Sequence, residues 1–240
     1  MIIYGRNPVR EAFRAGKTIE KIYLPKGEID FQLSAVYKLA KEARVPVSYI
    51  DRFTMDQLSK NGNHQGVLAQ ITDFEYSTLD DIISLADSRG EKLLVVLLDG
   101  ITDPHNLGAI IRSAECFGAH GVVIPKHRSV GVNDTVVKVA SGATEHLPVA
   151  KVTNINDAIR ALKERNVWVY ACAFDGKAPK CADFTDDTAI VVGSEGDGIK
   201  RLTKELCDDV VTIPEYGKIN SLNASVATGV VLYEAARQRG

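Results

Sequence analysis

From residue 92 to the end of the chain, short apolar segments alternate with segments whose apolar residues recur at helical spacing. The first apolar segment, Leu93–Leu98, has no polar position, as expected of a strand that is buried on both faces of a sheet. Repeated strand–helix alternation is typical of a parallel sheet with helices on both faces. We therefore predict an α/β fold for residues 91–240.

The first third of the chain has the same kind of alternation but a different charge. Apolar segments of strand and helix type alternate over residues 1–72, which predicts a small N-terminal α/β domain. This part carries 11 Lys and Arg residues against 7 Asp and Glu, a net charge of +4, whereas the whole chain has a net charge of −2. A basic domain favours RNA as a partner, although ordinary scatter of surface charge explains the same numbers equally well.

Residues 73–90 separate these two parts. They contain five acidic residues and one arginine, a net charge of −4, and they end in Ser88, Arg89 and Gly90. Their apolar residues are spaced for one helix. We interpret this segment as an acidic linker that contains one helix.

The composition argues against several classes of protein. No apolar run approaches the roughly 18 residues of a membrane span, and the first residues lack the pattern of a signal peptide. The four cysteines have no Cys-x-x-Cys spacing, which favours reduced thiols and a cytoplasmic location. The five histidines include no His-x-x-x-His pair, so we expect no metal site.

Three polar or glycine-rich blocks lie where an apolar strand gives way to a helix. They cover residues 103–112, 193–198 and 213–225. In α/β sheets, this is the position at which ligand sites form. Because the three blocks are far apart in sequence, we predict that they build one composite pocket.

The first block contains Asn106 and Arg112. Asn106 is placed to cap a helix that begins at residue 107, and this structural role is the alternative to a chemical one. Arg112 lies off the apolar stripe formed by Leu107, Ile110 and Ile111. It either faces solvent or directs its planar guanidinium at a phosphate or a developing oxyanion.

The second block surrounds Glu195 with Gly193, Gly196 and Gly198. Glycine lets backbone N–H groups approach a ligand closely, and a helix start adds partial positive charge. A dinucleotide-binding turn is a competing interpretation, but the glycine spacing and the late position in the chain argue against it.

The third block contains Ser221 and Asn223 at the start of the last helix. Ser221 is a good N-cap, which is its structural alternative. No Gly-x-Ser-x-Gly sequence surrounds it, which argues against a hydrolase nucleophile.

Together, the three blocks resemble the motifs of the SpoU branch of the SPOUT RNA methyltransferases, over residues 91–240. Residues 3–9 and 64–67 resemble the small RNA-binding domain of this family, which is of the ribosomal-protein L30e type. The two-domain layout is most similar to the bacterial 23S rRNA guanosine-2′-O-methyltransferases. The resemblance implies methyl transfer from S-adenosylmethionine to a ribose 2′-hydroxyl of RNA, and a trefoil knot in the C-terminal region.

Three other functions stay open at this point. The nearest is ribose methylation of tRNA. The second is a non-catalytic RNA-binding or ribosome assembly protein that has kept the fold. The third is a nucleotide-dependent oxidoreductase, which would bind NAD(P) instead of the methyl donor.

The resemblance also implies roles for individual residues. The catalytic roles fall on Arg112, Asn106, Glu195, Ser221 and Asn223. Donor binding falls on Ala173, Gly193, Gly196, Gly198, Ile213 and Leu222, largely through backbone atoms. Glu215 and Ala224 depart from the commonest family pattern. Because a guanidinium stays protonated in proteins, we interpret Arg112 as a phosphate-binding group that lowers the pKa of the ribose hydroxyl, rather than as a base.

The last helix has more apolar residues than one face of a small sheet needs. They are Val226, Val230, Val231, Leu232, Tyr233 and Ala235. The resemblance implies a homodimer with the site near its interface, and an isologous pair is the usual arrangement.

Overall fold

Two sheets organise the chain, one in a unit of residues 1–75 and the other in a unit of residues 76–240. The structure is a computed structural model and describes residues 1–27, 30–72, 74–218 and 221–240. Among the described residues, no helix has the length and apolar character that crossing a membrane requires.

The first unit is a mixed sheet with helices packed on it. Its elements in chain order are β1 (Ile2–Tyr4), α1 (Arg6–Arg14), β2 (Thr18–Pro25), α2 (Phe31–Glu42), β3 (Val47–Ile50), α3 (Arg52–Leu58) and β4 (Leu68–Thr72). The strand order is β1-β4-β2-β3; β4 runs antiparallel to β1 and β2, whereas β2 and β3 are parallel. Val9 of α1 and Val36 of α2 are buried with Ile22 and Leu24 of β2 in one apolar core. The unit is thus the small α/β fold that the sequence predicts.

The second unit is built on a parallel sheet. Its helices and strands in chain order are α4 (Leu79–Arg89), β5 (Leu94–Asp99), α5 (Pro104–Cys116), β6 (Gly121–Pro125), α6 (Asp134–Ala140), β7 (Val149–Val152), α7 (Ile155–Glu164), β8 (Trp168–Lys177), β9 (Thr188–Gly193), α8 (Arg201–Leu206), β10 (Asp209–Val211) and α9 (Ala224–Arg239). The strand order is β10-β8-β9-β5-β6-β7, and each of these neighbouring pairs is parallel. This confirms the predicted α/β class.

Helices cover both faces of this sheet. Every residue of β5 is buried. Val95 and Leu97 of that strand join an apolar cluster with Ile82 of α4 and Ile159 of α7, which defines one face. Helices α5 and α9 pack against each other outside this cluster, with α5 on β6 and α9 on β8 and β9. The continuous apolar character of the strand segments therefore reflects burial on two sides.

The structure corrects the predicted linker over residues 73–90. Asp73 lies outside the described residues, but residues 76–90 belong to the second unit. Helix α4 begins with a capping box, in which the Thr78 hydroxyl accepts from the Asp81 backbone N–H and the Asp81 carboxylate accepts from the Thr78 N–H. Ile82 and Ile83 are buried in the core of the unit. The structure thus confirms the expected helix but not its place in a linker, because its acidic residues Asp80, Asp81 and Asp87 form the exposed side of a packed helix.

Candidate active site

The three blocks meet at the carboxyl edge of the parallel sheet. Strands β5 and β9 are adjacent and end in register, with Asp99 opposite Gly193. The first block follows β5 and the second follows β9, so both begin at this edge. The composite pocket that the sequence predicts therefore has a structural basis, because the carboxyl ends of parallel strands lie together.

Three polar side chains, one from each block, form a hydrogen-bonded network. The Asn106 amide Nδ2 donates to Glu195 Oε1 at 3.0 Å, and the Asn223 Nδ2 donates to Asn106 Oδ1 at 2.8 Å. The Asn223 amide also donates to Glu195 Oε1, which closes the triangle. A carboxylate that accepts from two amides is fixed in orientation. The network thus ties helix α5, the loop after β9 and the start of α9 to one another.

The cap of α5 differs from the sequence interpretation. The helix begins at Pro104, and Asp103 is the N-cap, with its carboxylate accepting from the His105 backbone N–H at 3.1 Å. Proline fits the first helical position because its missing N–H has no partner there anyway. Asn106 consequently lies inside the helix and is buried, so its amide is available to Glu195.

The cap of α9 also differs. Asn223, rather than Ser221, caps this helix, and its Oδ1 accepts from the Ser225 and Val226 backbone N–H groups. The side-chain oxygen of Asn223 therefore caps the helix, while its side-chain nitrogen donates hydrogen bonds within the network. Residues 219 and 220 of the third block lie outside the described residues. The trefoil knot stays a prediction, since the path of the chain through this block is not fully described.

A cleft of about 370 Å³ opens beside the network, within the range of small-molecule sites. Its lining includes all six residues expected to hold the donor, together with two of the expected catalytic residues: Ala173, Gly193, Gly196, Gly198, Ile213, Leu222, Glu195 and Ser221. Asn106, Asn223 and Arg112 are not among the lining residues. Asn106 and Asn223 are connected to the cleft indirectly, because each donates a hydrogen bond to Glu195, which lines it.

The glycine turn at one side of the cleft is tightly closed. Ser194 and Gly198 exchange backbone hydrogen bonds of 3.0 and 3.2 Å. A Cβ on Gly193 would lie 2.0 Å from the Gly198 carbonyl carbon and 2.2 Å from the Ile199 nitrogen, both of them backbone atoms. Gly198 has a φ of +65°, the left-handed region that favours glycine. Gly196, by contrast, has open space where a Cβ would stand.

We expect Gly193→Ala to destabilise the protein and to abolish donor binding, because the added methyl collides with backbone atoms that cannot turn aside. Overpacking of this kind costs about 1–3 kcal/mol, which lowers Tm by roughly 2–4 °C per kcal/mol for a chain of this size. Gly196→Ala is the matched control and should melt like the wild type. Thermal melting together with calorimetric titration of S-adenosylhomocysteine measures both effects. Equal melting temperatures for the two variants would contradict the tight turn.

Acidic side chains dominate the charge around the cleft. Asp175, Glu195, Asp197 and Glu215 line it, whereas Lys204 is the cation among the lining residues that the structure describes. The Lys204 ammonium donates to the Phe174 backbone carbonyl at 3.2 Å. A site with this excess of carboxylates favours a ligand that carries positive charge.

Another lining residue, Cys172, does not supply a nucleophile. Burial raises the pKa of its thiol to about 11, so the thiol stays protonated near neutral pH. Within the part of the chain that the structure describes, no three His, Cys, Asp or Glu side chains group to hold a metal ion.

Arg112 lies where its sequence position predicts, off the apolar side of α5. Leu107, Ile110 and Ile111 are fully buried, while Arg112 is exposed. Its guanidinium Nη1 makes a long contact of 3.4 Å to Ser141 Oγ. The Arg112 side chain therefore contributes little to the packing of the core. Its chemical role stays a prediction.

One ion pair beside the site was missed by the sequence interpretation. Asp99, at the end of β5, is nearly fully buried, and its carboxylate accepts from the backbone N–H of Lys200 at 3.0 Å and from the Lys200 ammonium. This pair joins the end of β5 to the chain that leaves the glycine turn. An aspartate that directly follows six apolar residues, Leu93–Leu98, was the available sequence signal.

Comparison with protein families and solved structures agrees with this geometry. Residues 93–233 match the family model described as the SpoU rRNA Methylase family, and residues 2–77 match the model for RNA 2′-O ribose methyltransferase substrate binding. The chain is 41% identical over 238 residues to YacO of Bacillus subtilis, whose name assigns it to the TrmH family of tRNA/rRNA methyltransferases; the match covers 99% of this chain and 95% of that one.

Two solved structures with S-adenosylmethionine bound are also similar. The SpoU methyltransferase AviRb from Streptomyces viridochromogenes is 26% identical with a TM-score of 0.63, over 100% of this chain and 90% of that chain. An rRNA methyltransferase from Sinorhizobium meliloti is 25% identical with a TM-score of 0.61, over 98% and 86% of the two chains.

The fold and the site thus define an RNA 2′-O-methyltransferase that uses S-adenosylmethionine. The chain belongs to the SpoU rRNA methylase family. This membership agrees with the predicted cofactor and speaks against the oxidoreductase alternative.

Proposed function

We propose that this protein transfers a methyl group from S-adenosylmethionine to the 2′-hydroxyl of a guanosine ribose in 23S rRNA. The observation that carries the catalytic part of this proposal is the network of Asn106, Glu195 and Asn223 beside the glycine-lined cleft. The rRNA target is supported by the similarity of the two-domain layout to the bacterial 23S rRNA enzymes.

The residues around the cleft fit the methyl donor. Gly193 has no room for a side chain, so backbone atoms form the wall there. The surrounding carboxylates suit a sulfonium and an ammonium group. Backbone atoms near Gly193, Ile213 and Leu222 would hold the donor, and Ala173 would line its adenine pocket. When bound, the donor supplies an electrophilic methyl group.

The protein's own side chains would then position the ribose and stabilise charge on its oxygen. Glu195 is fixed by the Asn106 and Asn223 amides, and Ser221 lies on the same cleft. These groups orient the 2′-hydroxyl for in-line attack. Arg112 binds a substrate phosphate and stabilises the developing oxyanion. Because its guanidinium keeps its proton, a phosphate or solvent accepts the proton of the hydroxyl.

We also propose that the protein is a homodimer that pairs through α9. The apolar residues of this helix divide into two sets: Val231, Leu232 and Ala235 are buried in the unit, whereas Val226, Val230 and Tyr233 are exposed. An exposed apolar stripe of this kind fits a second copy of the chain. Asn223 caps the same helix, so such an interface would lie beside the network.

Ribose methylation of tRNA is the second candidate, because the name of the relative YacO covers both tRNA and rRNA. A non-catalytic RNA-binding or assembly protein is the third. The complete network and the acidic, glycine-walled cleft weigh against it, since RNA binding alone needs neither.

Mapping of ribose methylation in rRNA and tRNA by mass spectrometry, from cells with and without this protein, tests the substrate. We expect one 23S rRNA guanosine to lose its methyl group in the absence of the protein. Calorimetry with S-adenosylhomocysteine and with NAD tests the cleft, and we expect binding of the first compound alone. Loss of a tRNA methyl group instead would show that tRNA, the second candidate, is the substrate. Unchanged maps combined with absent binding would favour the third.

A further inference from the structure

Two phenylalanine side chains of the first unit are largely exposed. Phe31 at the start of α2 is 89% exposed, and Phe53 in α3 is 69% exposed. The apolar residues around them in sequence behave differently, since Leu33 and Met55 are buried. Helix packing therefore does not account for either ring.

The helices that carry these two residues both follow the same edge of the first sheet. Strands β2 and β3 are parallel, and Pro25 pairs with Ile50 at their carboxyl ends. The backbone N–H of Lys26 donates to the Ile50 carbonyl at 3.0 Å, so the two chain segments that leave the sheet begin side by side. Helix α2 starts five residues beyond Lys26, at Phe31, and α3 starts two residues beyond Ile50, just before Phe53.

An arginine is bound to the sequence neighbours of the first ring, and another precedes the second ring in sequence. The Arg6 guanidinium bonds to the Asp30 carboxylate and to the Gln32 amide oxygen, each at 2.5 Å, and these two residues flank Phe31 in sequence. Arg6 is further held by the Gln65 backbone carbonyl at 3.1 Å. This guanidinium is therefore oriented before any ligand arrives.

At the second ring, Arg52 precedes Phe53 and is exposed, and the backbone N–H of Lys26 donates to Ile50, the residue before Asp51. Asp51 accepts from the Thr54 backbone N–H and caps α3. Asp30 caps α2 in the same way through Leu33. Each of these two carboxylates is engaged by a backbone N–H at the start of its helix.

We propose that Phe31 and Phe53 stack on unpaired bases of the RNA substrate, while Arg6, Lys26 and Arg52 contact its phosphates. This inference rests on the proposed function and adds to it the kind of RNA that is bound. Exposed aromatic rings next to cations are the combination that binds single-stranded RNA, because every base has a face that can stack. Bases within an A-form duplex are stacked on each other and present no free face. The edge therefore selects a loop or a single-stranded segment over a duplex.

The test uses the full chain and measures the affinity for labelled oligo(A) and for the same strand annealed to oligo(U), by fluorescence anisotropy. We expect the wild type to prefer the single strand. Phe31→Ala and Phe53→Ala should each weaken that binding by about five- to a hundredfold, the range for one lost base stack. Arg52→Gln should instead reduce the salt dependence of binding, because it removes a phosphate contact.

Three controls separate stacking from misfolding. Trp168→Ala removes a half-exposed aromatic ring in the second unit, and it should leave oligo(A) affinity unchanged. Phe31→Trp and Phe53→Trp should retain binding, and the tryptophan emission should be quenched when oligo(A) is added. Titration of S-adenosylhomocysteine should be unaffected in all five aromatic variants.

Wild-type affinity for oligo(A) in the double alanine variant would overturn the inference. So would a change in mass by light scattering on substitution, because the rings would then belong to a protein interface. Neither result touches the proposed function, which is judged by the methylation maps and by donor binding. The methylation maps could show no methylation by this protein while the alanine variants still lose affinity for oligo(A). That result would contradict the proposed function but support base stacking on Phe31 and Phe53.

Discussion

Arg112→Ala is expected to lower the rate of methyl transfer by about 10²–10³-fold, the loss seen when one preorganised donor to a developing oxyanion is removed. The fold should be nearly unchanged. The Arg112 side chain is exposed, its guanidinium makes a long 3.4 Å contact to Ser141, and it is not on the buried side of α5. Donor binding should also be unchanged, since Arg112 does not line the cleft.

Single-turnover methyl transfer to rRNA, a melting curve and a titration with S-adenosylhomocysteine measure the three quantities. Arg112→Lys should recover little activity, because an ammonium lacks the planar fork that binds a phosphate with two hydrogen bonds. Arg160→Ala is the matched control: this exposed helix arginine pairs with Asp157 at 2.7 Å, a surface ion pair of small energetic value. A near wild-type transfer rate in Arg112→Ala would show that this residue is an ordinary surface arginine.

The composite site could be predicted from sequence because it depends on a general property of parallel sheets. Leu93–Leu98 reads as a doubly buried strand, and polar residues after such strands meet at one edge. The convergence of Asn106, Glu195 and Asn223 follows from that rule and from the family resemblance. Their hydrogen bonds do not follow from it, because the rule gives no side-chain distances.

The helix caps were harder to predict, because several good capping residues compete. Asp103 and Asn106 are both favourable N-caps, as are Ser221 and Asn223. In the structure Asp103 and Asn223 take these roles. Pro104, which suits the first helical position, was the overlooked signal for α5.

The helix expected within residues 73–90 is confirmed, but its assignment to a linker was wrong for a different reason. Net charge reflects the exposed side of α4 but gives no information about its buried side. On that side, Ile82 packs so closely against Gly121 that a side chain at residue 121 would collide with it. Thr78 and Asp81 were the local signal, since their spacing is that of a capping box. The exposure of Phe31 could not be predicted from the sequence either, because helical spacing does not show whether a residue in the first turn of a helix contacts the core.

Asn223→Asp should separate the two functions of this residue. Aspartate is as good an N-cap as asparagine, so the oxygen that accepts from Ser225 and Val226 is retained and the melting temperature should change little. The amide that donates to Glu195 and to Asn106 is lost. A second carboxylate would then face Glu195, and like charges at hydrogen-bond distance repel. Because Glu195 is exposed on a loop, we expect it to swing away into solvent rather than to unfold the site.

Methyl transfer should fall by roughly 10²-fold, the cost of misplacing a positioning group by about 1 Å. Asn223→Ala should lose the same activity and, in addition, about 1 kcal/mol of stability, because it removes the cap as well.

Asn154→Asp is the matched control, because Asn154 caps α7 through the Asn156 N–H in the same way and lies outside the cleft lining. It should transfer methyl groups at the wild-type rate. Single-turnover rates of the wild type and of the Asn223→Asp, Asn223→Ala and Asn154→Asp variants provide the measurement. If Asn223→Asp is fully active, the network of Asn106, Glu195 and Asn223 holds the fold together without orienting the substrate.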